Sequence, residues 1–142
     1  MKVSARNVLI GTVTGITAGA VNSEVDLSLA GGESLVAIIT NKSAESLGIL
    51  VGKPVVALVK ASSILLLTDS SGYKLSARNI IKASIQSVTP GAVNAEVSLA
   101  LANGTAIHAI VTLGAVQELG LAAGGTAEVV IKASSIILGV PN

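Results

Sequence analysis

Lys2-Val-Ser-Ala-Arg-Asn7 returns 72 residues later as Lys74-Leu-Ser-Ala-Arg-Asn79. Each copy sets a hydroxyl, a guanidinium and an amide within four positions. The same offset carries GAVNSEV, Gly19–Val25, onto GAVNAEV, Gly91–Val97, and KASSILL, Lys60–Leu66, onto KASSIIL, Lys132–Leu138. Thr40 falls on Thr112 and Leu47-Gly48 on Leu119-Gly120, with no insertion or deletion between the halves. An internal repeat decides architecture before any local pattern does. Two copies, each with its own opening motif, predict two small fused domains and not a solenoid. They take residues 1–67 and 76–142, with a linker at 68–75. Thr68–Tyr73, TDSSGY, is the one polar, turn-rich stretch between them.

Periodicity gives the plan of each copy. Val8–Ile16 is β-branched and apolar and reads as a strand. After a turn at Ala18-Gly19-Ala20, Val21–Leu29 alternates. Val21, Ser23, Val25, Leu27 and Leu29 share one face; Asn22, Glu24, Asp26 and Ser28 share the other, as in a half-buried strand. Gly31-Gly32 is a hairpin turn and Ser34–Ile39 a third strand. Thr40 then caps a short helix over about residues 41–47, which Gly48 stops. Pro54–Lys60 and Ser63–Leu67 are the last strands, broken at Ala61-Ser62. The fold class is all-β: two tandem OB-like five-stranded β-barrels, each with one short helix.

Composition narrows the function. There is no cysteine, which excludes disulfides and thiolate metal sites and fits a cytoplasmic protein. No basic leader opens the chain, and no apolar run approaches the ~20 residues that span a bilayer, so no membrane partner is expected. A net charge of +1 does not steer toward polyanions. Nucleic-acid-binding barrels use aromatic platforms and a basic groove. Tyr73 is the only aromatic residue, so no nucleic-acid partner is expected. The chain is 51% hydrophobic and only 12% charged, with mean hydropathy +0.79, too apolar for the surface of a small monomer. A closed, symmetric homo-oligomer follows. Where Asp26 becomes Ser98 and Ser28 becomes Ala100, the second copy loses polarity, which predicts that a neighbour covers this face.

The residues do not assemble an enzyme. His108 is the only histidine; its counterpart is Val36, and it reads as a partly exposed strand residue. Glu24 and Glu96 recur, but each stands without an acid partner and reads as a solvated or interface residue. No nucleophile elbow, catalytic triad order or phosphate loop is present. What remains binds anions. Arg6 and Arg78 offer a planar fork of donors. Ser4 and Ser76 lie two residues away, on the same side of an extended segment. Thr40 opens a helix, where free backbone N–H groups favour an anion, and Ser43 lies on its first turn. Lys60 and Lys132 end buried-looking strands, where a charge calls for a partner. The other reading pairs Arg6 and Lys60 with carboxylates such as Glu24, Glu45 or Asp26. Arg78 and Lys132 recur while Asp26 and Glu45 give way to Ser98 and Gln117, which favours the anion.

The SARN opening, the GAVN turn, the Thr-x-x-Ser helix start before Leu-Gly and the closing Lys-Ala together resemble the molbindin, or Mop-domain, family. The resemblance covers essentially the whole chain, and it is similar to the tandem form that stands alone. It implies a cytoplasmic protein that binds molybdate or tungstate for storage and buffering, with OB-like units gathered about a threefold axis as a trimer. No cofactor and no direct protein–metal bond are implied. The oxyanion would be held by Ser4, Arg6, Thr40, Ser43, Lys60 and the Ala61 backbone, and by the counterparts Ser76, Arg78, Thr112, Lys132 and Ala133. Ser43 has only Ala115 as its counterpart. A second class of site near the axis would use Gly19, Ala20, Val21 and Asn22, with Gly91, Ala92, Val93 and Asn94. The alternative function is a small-oxyanion sensor or scaffold that acts through a protein partner.

Overall fold

A computed structural model describes residues 1–142. In the first copy the strands are β1 (Asn7–Ala18), β2 (Asn22–Leu29), β3 (Ser34–Thr40), β4 (Pro54–Val59) and β5 (Ile64–Leu67). Helix α1 (Asn41–Ser46) follows β3, and a single 3-10 turn, Ala61–Ser63, precedes β5. The second copy gives β6 (Asn79–Pro90), β7 (Asn94–Leu101), β8 (Ala106–Thr112), α2 (Leu113–Leu119), β9 (Thr126–Ile131), the turn Ala133–Ser135 and β10 (Ile137–Gly139). Residues 68–75 contain no strand or helix.

Local chemistry accounts for the elements. In β2, Ser23, Val25, Leu27 and Leu29 are buried in alternation, as period 2 requires. Val21, placed on that face by the alternation, is instead in the turn and 70% exposed. The Thr40 hydroxyl accepts the Ser43 N–H at 3.0 Å, the Thr112 hydroxyl accepts the Ala115 N–H at 3.1 Å, and each thereby starts its helix. Gly48 and Gly120 end the helices at φ 63° and 64°, a left-handed conformation that glycine adopts without steric cost.

The fifth strand of each copy is exchanged. The first sheet runs β10-β4-β1-β2-β3 and the second β5-β9-β6-β7-β8, all neighbours antiparallel. Each curled five-stranded sheet therefore takes four strands from one copy and one from the other. The repeat bounds of the sequence are not the bounds of the sheets. The exchange carries Ile64 into the second sheet and Ile136 and Leu138 toward the first, all inside one continuous apolar cluster that spans both copies. Each such side chain contributes roughly 1.5–3 kcal/mol when fully buried.

Two buried amides fasten the halves. Asn7 is 1% exposed; its side chain donates to the Val59 and His108 carbonyls at 3.1 and 2.8 Å and accepts the His108 N–H at 2.7 Å. Asn79 does the same to Ile131 and Val36, donating at 3.2 and 2.8 Å and accepting at 2.7 Å. Each amide thus stands in for a strand partner, satisfying backbone groups of an edge strand of the other half.

Candidate functional site

With its asparagine committed to the core, the rest of each opening motif faces solvent: Ser4, Arg6, Ser76 and Arg78 are exposed. Both guanidiniums reach across the halves. Arg6 Nη2 lies 2.6 Å from Glu96 Oε1, and Nη1 donates to Oε2 at 3.1 Å. Arg78 pairs with Glu24. Glu24 and Glu96, which read as solvated or interface residues without an acid partner, are therefore partners of the other copy's arginine, so the carboxylate pairing weighed for Arg6 is present, with Glu96 in place of Glu24, Glu45 or Asp26. Each asparagine draws its motif onto the neighbouring sheet, and the arginine beside it meets the glutamate there.

Lys60 and Lys132 are exposed and make no ion pair in the chain, so the expectation of a charge at a buried strand end does not hold. Each follows the last residue of its strand and turns outward, while Ala61 and Ala133 next to them are buried. Register places the cations together. Asn7 pairs with Val59 and Asn79 with Ile131, so Arg6 and Lys60 share one end of the β1–β4 ladder, and Arg78 and Lys132 share the matching end of β6–β9.

The helix openings fall differently from the sequence grouping. β3 packs against the turn Ala133–Ser135, and β8 packs against Ala61–Ser63. Asn22, Thr40, Ser43 and Ser134 line one groove of about 390 Å³, between edge strands β3 and β10. Asn94, Thr112, Ala115 and Ser62 line its counterpart of about 490 Å³, between β8 and β5. Within one chain, Thr40 and Ser43 thus lie with the Lys132-Ala133 segment, and Thr112 with Lys60-Ala61. The set Ser4, Arg6, Thr40, Ser43, Lys60 and Ala61 is split between two ends of the molecule, because strand exchange carries each closing Lys-Ala turn to the other copy's helix.

The two ends follow. One carries Arg6, Lys60, Glu96, Ser98, His108 and Thr112. The other carries Arg78, Lys132, Glu24, Asp26, Thr40 and Ser43. His108 is on β8, its side chain 27% exposed, with Nδ1 3.2 Å from Ser98 Oγ and 3.5 Å from Glu96 Oε1. Thr40 Oγ1 also lies 2.9 Å from Ser43 Oγ. Chemically each end offers exposed guanidinium, ammonium and hydroxyl donors, fit for a small oxyanion held by charge-assisted hydrogen bonds. The GAVN turns are tied to the helices: the Val21 carbonyl accepts the Asn41 N–H at 2.8 Å, and Val93 the Leu113 N–H at 3.1 Å. Their valines project into solvent, Val21 at 70% and Val93 at 71% exposure. No group of three or more His, Cys, Asp or Glu side chains forms, and no helix is long and apolar enough to cross a membrane.

Asn7, Asn79 and the two cross-pairs had a signal in the sequence. Arginine, asparagine and glutamate all recur at the same offset, so the two cross-pairs are repeated as a set.

The TOBE domain family matches residues 3–66 and again 75–138. Over 140 residues the chain is 44% identical to the molybdenum transport protein ModE of Azotobacter vinelandii, covering 99% of this chain and 52% of that protein. It is 43% identical over 141 residues to the molybdenum-pterin-binding protein MopA of Rhodobacter capsulatus, covering 99% of this chain and 53% of that one. The chain spans about half the length of these curated relatives. A solved structure of the cytoplasmic molybdate-binding protein ModG, with molybdate bound, superposes with a TM-score of 0.97 at 58% identity, over 99% of this chain and 100% of that one. With both repeats matched, and most of the residues inside the matches, the chain belongs to the TOBE-domain family and carries two copies of the domain in tandem.

Proposed function

We propose that the chain binds molybdate, or tungstate, as a hydrogen-bonded oxyanion at its Arg6–Lys60 and Arg78–Lys132 ends, and stores and buffers it in the cytoplasm. The observation that carries the reading is the repeated pair of exposed cations, in a chain that superposes over its length on a protein solved with molybdate bound. Ser4, Ser76, Thr40, Ser43, Thr112 and the backbone at Ala61 and Ala133 supply further donors. A hydrogen bond to a charged group contributes roughly 1.5–3 kcal/mol net, so a few reach the approximately −8 kcal/mol of micromolar binding.

A trimer suits the exposed apolar residues. Val8 and Ile137 on the first sheet, and Ile80 and Leu65 at matching places on the second, are 44%, 66%, 37% and 64% exposed. Cross-strand register puts each pair on one row with Leu58 or Val130. A neighbouring copy on these rows would close the ends from solvent and strengthen each charge-assisted bond. The exposed Gly19–Asn22 and Gly91–Asn94 turns would then meet their equivalents about the axis and form the second class of site.

The test is elemental analysis and calorimetry of the chain equilibrated with molybdate, with sulfate as competitor, beside sedimentation. Several oxyanions per oligomer, a trimer, and molybdate preferred over the smaller sulfate are expected, since a cavity sized for the larger ion leaves sulfate short of some donors. Sulfate binding as tightly as molybdate would refute the site; a soluble 14 kDa monomer would refute the assembly.

A further inference from the structure

The Arg6 end holds one group that the Arg78 end lacks. His108 stands on β8 where the first copy has Val36. Its backbone is gripped on both sides by Asn7, at 2.7 and 2.8 Å, so the ring stays beside the opening motif. Its Nδ1 lies 3.5 Å from Glu96 Oε1, and that same oxygen is 2.6 Å from Arg6 Nη2. Glu96 Oε1 is shut off from solvent and has no hydrogen bond of good geometry. Two groups thus compete for one buried oxygen, and one of them is charged only when protonated.

Few other groups face the ring. β7 brings Glu96 and Ser98; the segment entering β1 brings Arg6 and Asn7. Lys60 heads the turn Ala61–Ser63 that packs on β8. β1 and β5 carry no titratable side chain, and Glu118 on α2 lies beyond the far end of β8. With the imidazole neutral, Glu96 has Arg6 as its bonded cation, and an oxyanion arriving at Arg6 meets the carboxylate's charge. With an imidazolium beside it, Glu96 has a second cation, and the guanidinium is open to a second anion. At the other end Val36 replaces His108 and Asp26 replaces Ser98, so no ring is available to protonate.

We propose that the Arg6 end takes up a proton together with its oxyanion, by an exchange in which Glu96 turns from Arg6 to protonated His108, whereas the Arg78 end does not. The proton comes from water to the imidazole nitrogen, and no other covalent bond changes. The inference rests on the oxyanion reading given above and adds its regulation.

The experiment is calorimetric titration of the full chain with molybdate at about pH 6.5 and about pH 8, a span across which imidazole changes charge, in buffers of different ionisation enthalpy. In the wild type the binding heat should depend on the buffer, corresponding to uptake of a fraction of one proton per chain, and one class of site should tighten several-fold at the lower pH. His108→Val copies the residue the other copy carries at this position; it should lose both effects. Glu96→Gln keeps the ring but removes the shared carboxylate. It should also lose both, and should bind at the higher pH as tightly as the wild type does at the lower. Proton uptake that survives Glu96→Gln is a plain field effect and overturns the exchange. Equal uptake in the wild type and His108→Val, or heat without uptake, overturns this inference alone. Absence of heat in every buffer overturns this inference, and absence of heat together with no molybdate retained on elemental analysis overturns the oxyanion reading with it.

Discussion

At the Arg6 end two cations, Arg6 and Lys60, face one carboxylate, Glu96. At the Arg78 end, Arg78 pairs with Glu24, and a second carboxylate, Asp26, lies two residues further along the same face of β2, about 7 Å along the strand. Hydroxyls run the other way. The groove against the turn that follows Lys132 has Thr40 and Ser43, whereas the groove against the turn that follows Lys60 has Thr112 and Ala115. An extra charge at about 7 Å is worth roughly 0.6–2 kcal/mol at effective dielectrics between water and a protein surface. A solvent-exposed hydroxyl such as Ser43, bonded to an anion, is worth roughly 0.5–1.5 kcal/mol. The two differences are of similar size and opposite sign, so the ends should differ in how they bind more than in how tightly. Each end is assembled from both copies, so a substitution in one copy changes the surroundings of the other copy's arginine.

The largest effect should come from cutting the comparison apart. Residues 1–67 alone contain β5 but not the sheet that receives it, and lack β10. The expected product is unfolded chain, or a dimer that exchanges fifth strands between two copies, read by circular dichroism and sedimentation. A folded monomer of that length would show that β5 can close its own sheet, and the exchange would then not define the ends.

The amide clamps come next. Asn7→Ala and Asn79→Ala each strand backbone groups of an edge strand and should cost about 2–4 kcal/mol, at roughly 1–3 kcal/mol per unsatisfied buried group. The expected fall in melting temperature is roughly 5–15 °C for each. Their hydrogen-bond sets match, so equal losses are expected. Unequal losses would show that one half carries the shared core.

Much of this was legible in the sequence, and the limit has a physical cause. Alternation in β2 and the Thr40 and Gly48 signals are local, and a single copy states them fully. The exchange is not local: Ile64–Leu67 presents the same pattern whether it pairs with its own copy or with the other. For the same reason the repeat could not say which glutamate Arg6 meets. Val21 was misplaced because an apolar turn residue extends an alternating run by one step. Lys60 was misplaced because the apolar run ends at Val59, and the following residue is already free to turn outward.

The lysines sharpen the comparison by charge. Lys60→Ala leaves Arg6 balanced by Glu96, with no net positive charge at that end. Lys132→Ala leaves Arg78 against two carboxylates. Loss of a charged donor at about 1.5–3 kcal/mol corresponds to roughly ten- to over a hundredfold in affinity. Lys132→Ala should lie at the severe end of that range and Lys60→Ala at the mild end, in titrations that resolve the two classes. The reverse order would mean that Asp26 is too well solvated to count.

The smallest effect should come from one hydroxyl, and it tests the assignment of grooves to ends. Ser43 Oγ accepts from Thr40 Oγ1 at 2.9 Å, which leaves its own hydrogen free for an oxyanion. As a neutral, solvent-exposed donor its net contribution is about 0.5–1.5 kcal/mol, or two- to tenfold in affinity. The Thr40 cap on the Ser43 backbone N–H survives Ser43→Ala, so stability should barely change. Ser43→Ala should weaken the class that Lys132→Ala also weakens and leave the Lys60 class alone. Ala115→Ser should do the converse, adding a donor to the Thr112 groove and tightening the Lys60 class. If Ser43→Ala instead weakens the Lys60 class, each groove serves the arginine of a neighbouring copy. The ends would then be completed between chains, not within one. If Ser43→Ala moves neither class, its hydroxyl belongs to the helix start, and the two ends differ by charge alone.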